Sequence, residues 1–428
     1  MKTKVIKKVL NNGLRVIFVP MKDNPTVTVT VLVGTGSDYE PEEQTGLSHF
    51  LEHMCFKGTK KRPGVSGISR ELDSLGAHYN AFTDHEMTGY YAKVESKHAL
   101  EVLDIISDIY INSTFPQTEV EKERGVIIEE INMYEDMPQS QVQQLFTNKM
   151  FEGQPAGRDV LGTKESVSKM NQENFVTYHR KFYVPNNTVL VVAGSFNNAN
   201  IMSAIKKSFS NAKKVPLPKI KKTVDNQSIY KSNVLFKNTD QSHMVFGFQG
   251  LPASHKDQVV LSIIASLLGG GMSSRLFTKL RDEMGVCYYV NAYNDFATSY
   301  GIFEITTGVT NARTEEVLKV LIEECKDLKN NLVPESELKR IKQYMVGTMK
   351  LSLESSNSLA MYFGAQEILL RKTLNPEERI KLVMSVTSKD IMRVAKKVFV
   401  LNKLNLAIIG PWKDSGWASS ILNTSSVL

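Results

Sequence analysis

Residues 26–33 read Thr-Val-Thr-Val-Thr-Val-Leu-Val, the period-two alternation that predicts a half-buried strand. Upstream, the apolar runs within residues 5–19 are split by Asn11-Asn12-Gly13, and an Asn-Gly step between such runs predicts a hairpin turn. The period changes after Gly34–Gly36. Over residues 46–56, Leu47, Phe50, Leu51 and Met54 fall at helical spacing, with Thr45 placed to cap the helix. Further helices are predicted over 65–74, 97–111 and 117–134, and a strand pair within 77–94. Strands mixed with long helices predict an α+β fold whose sheets are mostly antiparallel and flanked by helices.

The chain repeats itself. Residues 170–194 can be laid without gaps over residues 386–410; in both, a capped helix runs into a turn and then an apolar strand ending in Gly. A second echo pairs 72–91 with 280–300, each carrying a Gly followed by an aromatic-rich alternating segment. Two similar α/β halves follow, as the 428-residue length also requires, since single cores stop growing near about 250–300 residues. The predicted halves are 1–212 and 228–428. The joint, 213–227, holds Pro216, Pro218 and a Lys cluster and has no periodic pattern.

Composition narrows the function classes. The net charge of +7 is a small difference between 52 basic and 45 acidic residues, and the Lys runs fall among prolines, as in a solvated linker, so no nucleic-acid partner is expected. Cys55, Cys287 and Cys325 are odd in number and share no C-x-x-C spacing, which supports neither a disulfide framework nor a thiolate metal site. No segment has signal-peptide or membrane-span character. A cytoplasmic protein without a membrane span is expected.

The segment that carries chemistry is Ser48-His49-Phe50-Leu51-Glu52-His53-Met54. Residues four apart share a helix face, so His49 and His53 can present two imidazoles to one tetrahedral ion, with Glu52 beside them. A catalytic zinc takes a third protein ligand and lowers the pKa of a water to about 7, and a neighbouring carboxylate can take that water's proton. Glu52 is placed for this. The acidic helix over 117–134 supplies third-ligand candidates. Glu123 and Glu130 share one side two turns apart, while Glu129 points about 100° away from Glu130; spacing alone does not choose among them. Adjacent strand residues point to opposite faces, so Asp84-His85-Glu86 is not read as a second metal site. Gly269-Gly270-Gly271 lacks the Lys-Ser/Thr of a P-loop and is read as a turn or substrate-contact loop.

His49-Phe-Leu-Glu-His53 followed by Met-Cys-Phe-Lys-Gly-Thr59 resembles the H-x-x-E-H signature of the pitrilysin family of inverted-motif zinc peptidases, in the branch of mitochondrial processing peptidase and its bacterial relatives. The resemblance covers nearly the whole chain, from Asn12-Gly-Leu-Arg-Val through Leu161-Gly162 to Gly269-Gly-Gly-Met-Ser-Ser-Arg-Leu276. Its spacer of seventy-six residues after the second histidine lands on Glu130, which makes His49, His53 and Glu130 the ligands of one zinc per chain and disfavours Glu129. The supporting glutamate of the family falls on Glu123, and Glu52 becomes the general base. Asn80-Ala81-Phe82-Thr83 resembles the edge strand to which a substrate peptide adds through main-chain hydrogen bonds. Arg281 and Tyr288 look like the family's pair from the second half, the first binding substrate and the second also stabilising an oxyanion. The implied activity is endopeptidase cleavage of extended or unfolded peptides inside a closed clamshell chamber, of which each chain supplies half. The implied assembly is a homodimer, or a heterodimer with a homologous subunit lacking the metal motif. The alternative within the same fold is a non-catalytic assembly or peptide-binding subunit, whose mark would be a degenerate motif; here the motif is intact.

Overall fold

The computed structural model describes residues 4–414 and 416–424. Of these, one compact unit holds the residues within Met1–Ile131, Arg158–Lys221 and Lys350–Glu377, and a second holds those within Asn132–Gly157, Lys222–Met349 and Glu378–Leu428.

Six strands build the sheet of the first unit: β1 (Ile6–Val9), β2 (Arg15–Pro20), β3 (Thr26–Val33), β4 (His78–Thr83), β5 (Thr88–Glu95) and β6 (Thr188–Gly194). Their order is β1-β2-β6-β3-β5-β4. Only β2 and β6 run parallel, and every other pair is antiparallel. The Asn-Gly turn predicted within 5–19 joins β1 to β2, with Gly13 at φ +88°, a left-handed conformation that glycine adopts without steric cost. One face of the sheet packs Val27, Val29, Val31 and Val33 against the helices α1 (Leu47–Cys55), α2 (Val65–Ser74) and α3 (Ala99–Asn112). These are followed by α4 (Gln117–Asp136) and α5 (Pro138–Met150).

The opposite face corrects the half-buried reading of β3. Thr28 and Thr30 are fully buried, because helix Ser356–Leu370 covers that side. Its Leu359, Ala360 and Phe363 pack with Ile17, Leu32 and Val191, and the Ser356 hydroxyl lies 2.8 Å from the Thr28 hydroxyl. The Thr positions looked solvent-facing in sequence because threonine is compatible with either environment once its hydroxyl has a partner.

The second unit carries β7 (Lys231–Phe236), β8 (Gln241–Gln249), β9 (Cys287–Phe296), β10 (Gly301–Thr310) and β11 (Leu404–Gly410), in the order β7-β11-β8-β10-β9. Again one neighbouring pair, β7 and β11, is parallel. The internal repeat is structural: helix Gln172–Phe182 leading into β6 is matched by helix Ser388–Val398 leading into β11. One face of this sheet meets helices Gln258–Gly269 and Thr314–Asn330, and the other meets Val142, Phe146 and Met150 of α5. Each unit thus takes a helix from the far side of the 213–227 joint, an exchange that a single cut there does not contain. The physical reason is that both sheets are apolar on both faces, and each second face needs a cover.

Candidate metal centre

Helix α1 begins with its N-terminal amides turned toward a buried carboxylate. Glu40 accepts hydrogen bonds from the Gly46 amide at 2.8 Å and the Ser48 amide at 2.6 Å, satisfying donors that a helix start leaves open. Thr45, expected as the cap, makes no cap bond; Gly46 occupies that position in the left-handed region at φ +90°, and the Thr45 hydroxyl turns to Ser166 instead. Burial pushes Glu40 up to about 8, against the pull of its amide donors and Arg158.

One turn on, His49 and His53 stand with ring centroids 4.6 Å apart. Glu130, on α4, faces both: its Oε2 lies 3.6 Å from His49 Nε2 and 3.8 Å from His53 Nε2. These three side chains offer donor atoms within 4.8 Å of one another, the one such group of metal-ligating residues among the described residues. Glu129 is exposed and outside it.

The donor set suits zinc. A tetrahedral ion with bonds of about 2.0–2.2 Å holds its donors about 3.3–3.6 Å apart, so small side-chain shifts would close this triangle. Burial, and then the charge of His53, lowers the pKa of His49 to about 3, which keeps that imidazole neutral as a ligand must be. His53 Nδ1 lies 2.9 Å from Glu123 Oε1, a contact that holds the ring proton on Nδ1 and turns the Nε2 lone pair toward Glu130. Burial works to lower His53, but the Glu123 hydrogen bond and the charges of Glu52, Glu123 and Glu130 outweigh it, so its pKa rises. Glu123 is lowered against its own burial by His53 and by Lys57, whose Nζ lies 2.6 Å from Glu123 Oε2.

Glu52 is buried on the same helix as the two histidines, and Thr83 Oγ1 donates to its Oε2 at 2.7 Å. Its pKa is raised, chiefly by burial and also by Glu130, with Thr83 and His53 opposing; a carboxyl shifted upward is the better proton acceptor near neutral pH. Thr83 ends β4, the edge strand that carries Asn80, Ala81 and Phe82. Arg281 and Tyr288 lie together in the second unit: Arg281 Nη1 donates to the Tyr288 carbonyl, and the guanidinium sits 5.3 Å from the Tyr288 ring centroid. Tyr288 is 73% exposed. The contacts of Glu40, Lys57 and Thr83 were not legible in sequence; the one available signal was that Lys57 and Thr83 lie inside two of the segments that carry the family resemblance.

Two α/β units, with H-x-x-E-H on one helix facing a glutamate on another, define the inverted-motif class of metal-site proteins. The model for Insulinase (Peptidase family M16) matches residues 15–164, and the model for the peptidase M16 inactive domain matches residues 169–345. A Bacillus subtilis protein named uncharacterized zinc protease YmxG is 34% identical over 94% of this chain and 97% of its own length. This chain belongs to peptidase family M16, the insulinase or pitrilysin family. The fold is shared with a solved protease from Helicobacter pylori, with a TM-score of 0.89 and 23% identity over 96% of this chain and 100% of that one. It is also shared with a chain of complex III2 from Candida albicans, with a TM-score of 0.85 and 18% identity over 99% of this chain and 100% of the other. No helix among the described residues is long and apolar enough to cross a membrane.

Proposed function

We propose that this protein is a zinc-dependent endopeptidase that cleaves extended or unfolded peptides, with His49, His53 and Glu130 as the ligands of one zinc per chain. The observation that carries this reading is the convergence of those three donors, within 4.8 Å, beside the buried carboxyl of Glu52. A zinc ion held there would polarise the scissile carbonyl and lower the pKa of an adjacent water to about 7. Glu52 takes the proton of the attacking water and passes it to the leaving nitrogen. Glu123 fixes the tautomer and orientation of His53, as hydrogen-bonded carboxylates do for metal-binding imidazoles. The open side of β4 at Asn80, Ala81 and Phe82 accepts an extended peptide as a further strand, which excludes folded substrates. Arg281 binds the peptide and Tyr288 stabilises the developing oxyanion. The chain works as a homodimer enclosing a chamber, or pairs with a homologous subunit that lacks the metal motif. The names of the relatives as zinc proteases support the metal assignment.

Metal analysis tests it. The parent protein is expected to hold zinc near one per chain, and His49→Ala and His53→Ala to lose it, because a three-ligand site rarely survives loss of one ligand. Full occupancy in both variants would remove the assignment.

A further inference from the structure

Glu52 has one hydrogen-bond partner among the described residues, and it does not come from its own helix. The Thr83 hydroxyl, from the last residue of β4, reaches across to Glu52 Oε2 at 2.7 Å. The Glu52 side chain is long and rotatable, and the fixed end of a strand limits that freedom more than solvent would. With Oε2 engaged, Oε1 is left as the free acceptor.

The backbone at Thr83 serves a different direction from its side chain. The Asp84 amide donates to the Met87 carbonyl at 2.9 Å, and antiparallel pairs alternate between bonded and non-bonded. With Phe82 opposite Gly89 and Asn80 opposite Tyr91, the amides of Phe82 and Asn80 belong to the ladder with β5. Those of Ala81 and Thr83 face the open edge. The Ala81 amide donates to Asn80 Oδ1 at 2.8 Å, so a peptide adding to this edge must displace the Asn80 side chain. Thr83 therefore stands between two tasks, its backbone on the docking edge and its hydroxyl on the base.

We propose that Thr83 is a positioning residue for Glu52, holding the base carboxylate in its working orientation and tying that orientation to the strand on which the peptide docks. This rests on the endopeptidase reading above. A displacement of the reacting group by about 1 Å can cost about 100-fold in rate, so the loss of this one hydroxyl is expected to fall on turnover. Because the Thr83 hydroxyl turns to Glu52 on α1, and a docking strand is held through backbone groups, peptide binding is expected to be spared.

The test compares Thr83→Val, which keeps the shape and removes the hydroxyl, with Thr83→Ser, which keeps the hydroxyl. Zinc content, kcat and KM on an unstructured peptide, and a crystal structure of each protein are measured. Thr83→Val is expected to keep zinc near one per chain and KM within about 2-fold, while kcat falls about 10–100-fold and the Glu52 carboxylate leaves its parent rotamer. Thr83→Ser is expected to restore kcat to within about 3-fold of the parent. Parent-like kcat in Thr83→Val, an unmoved carboxylate, or a Thr83→Ser protein no better than Thr83→Val would overturn the proposal. If the zinc-loaded parent cleaves no peptide, the endopeptidase reading fails instead, and the carboxylate orientation in the two crystal structures still decides the role of Thr83.

Discussion

Glu130 and Glu129 are neighbours on α4, yet one faces two imidazoles and the other faces solvent. The side chain of Glu130 meets both Nε2 atoms at 3.6 and 3.8 Å, and about 100° of helix rotation takes Glu129 out of reach. Glu130→Gln is therefore expected to weaken zinc binding by about 10-fold or more, and Glu129→Gln to leave it near the parent value, both read by competition with a chelator of known affinity. The reverse ranking would contradict this register. Helical spacing in the sequence brought His49, Glu52 and His53 together, since all three lie within two turns of one helix. It could not choose the third ligand, because that choice depends on how α4 lies against α1. The resemblance supplied the register. Lys57 on Glu123 and Thr83 on Glu52 are tertiary contacts between elements and left no periodic trace.

At the scale of elements, the sequence was most readable where a single periodicity governed. The strand predicted over 26–33 and the helix over 65–74 match β3 and α2 residue for residue. The repeat placed β6 and β11 as equivalents. What it missed was the second covered face of each sheet, because a β-strand flanked by a distant helix looks the same locally as one flanked by water. In the second unit this cover has an electrostatic consequence. Glu304, on β10, is buried, with Gln143 of α5 donating to its Oε2 at 2.7 Å. Burial, aided by the charge of Asp295 and opposed by Gln143, pushes its pKa up to about 7. The folded state therefore holds this proton more tightly than the unfolded chain, so stability is full below the ordinary carboxylate range and falls as pH rises toward about 7. Glu304→Gln should flatten that dependence and stabilise the protein at pH 8 relative to pH 5, by up to about 3 kcal/mol. Urea unfolding at the two pH values measures it; an unchanged difference between them would show that Glu304 does not titrate in this way.

For the whole molecule, the two-fold repetition was legible, and the exchange of helices between the repeats was not. Helix Ser356–Leu370 belongs to the unit that holds the candidate metal centre, and its Gly364 lies so close to the sheet that an added Cβ would approach Leu32 Cδ1 to 2.6 Å. A chain ending near Val215 would leave that face of the sheet without Leu359, Ala360 and Phe363. One zinc, held by His49, His53 and Glu130, and the Glu52 carboxylate on α1 are proposed to hydrolyse extended peptides. The most direct measurement is digestion of a mixed peptide pool by the full-length parent and by Glu52→Gln, read by mass spectrometry with zinc determined on the same samples. Zinc near one per chain is expected in both proteins, with abundant new peptide termini from the parent and nearly none from Glu52→Gln. Parent-rate cleavage by Glu52→Gln, or no cleavage by a zinc-loaded parent, would overturn the proposal.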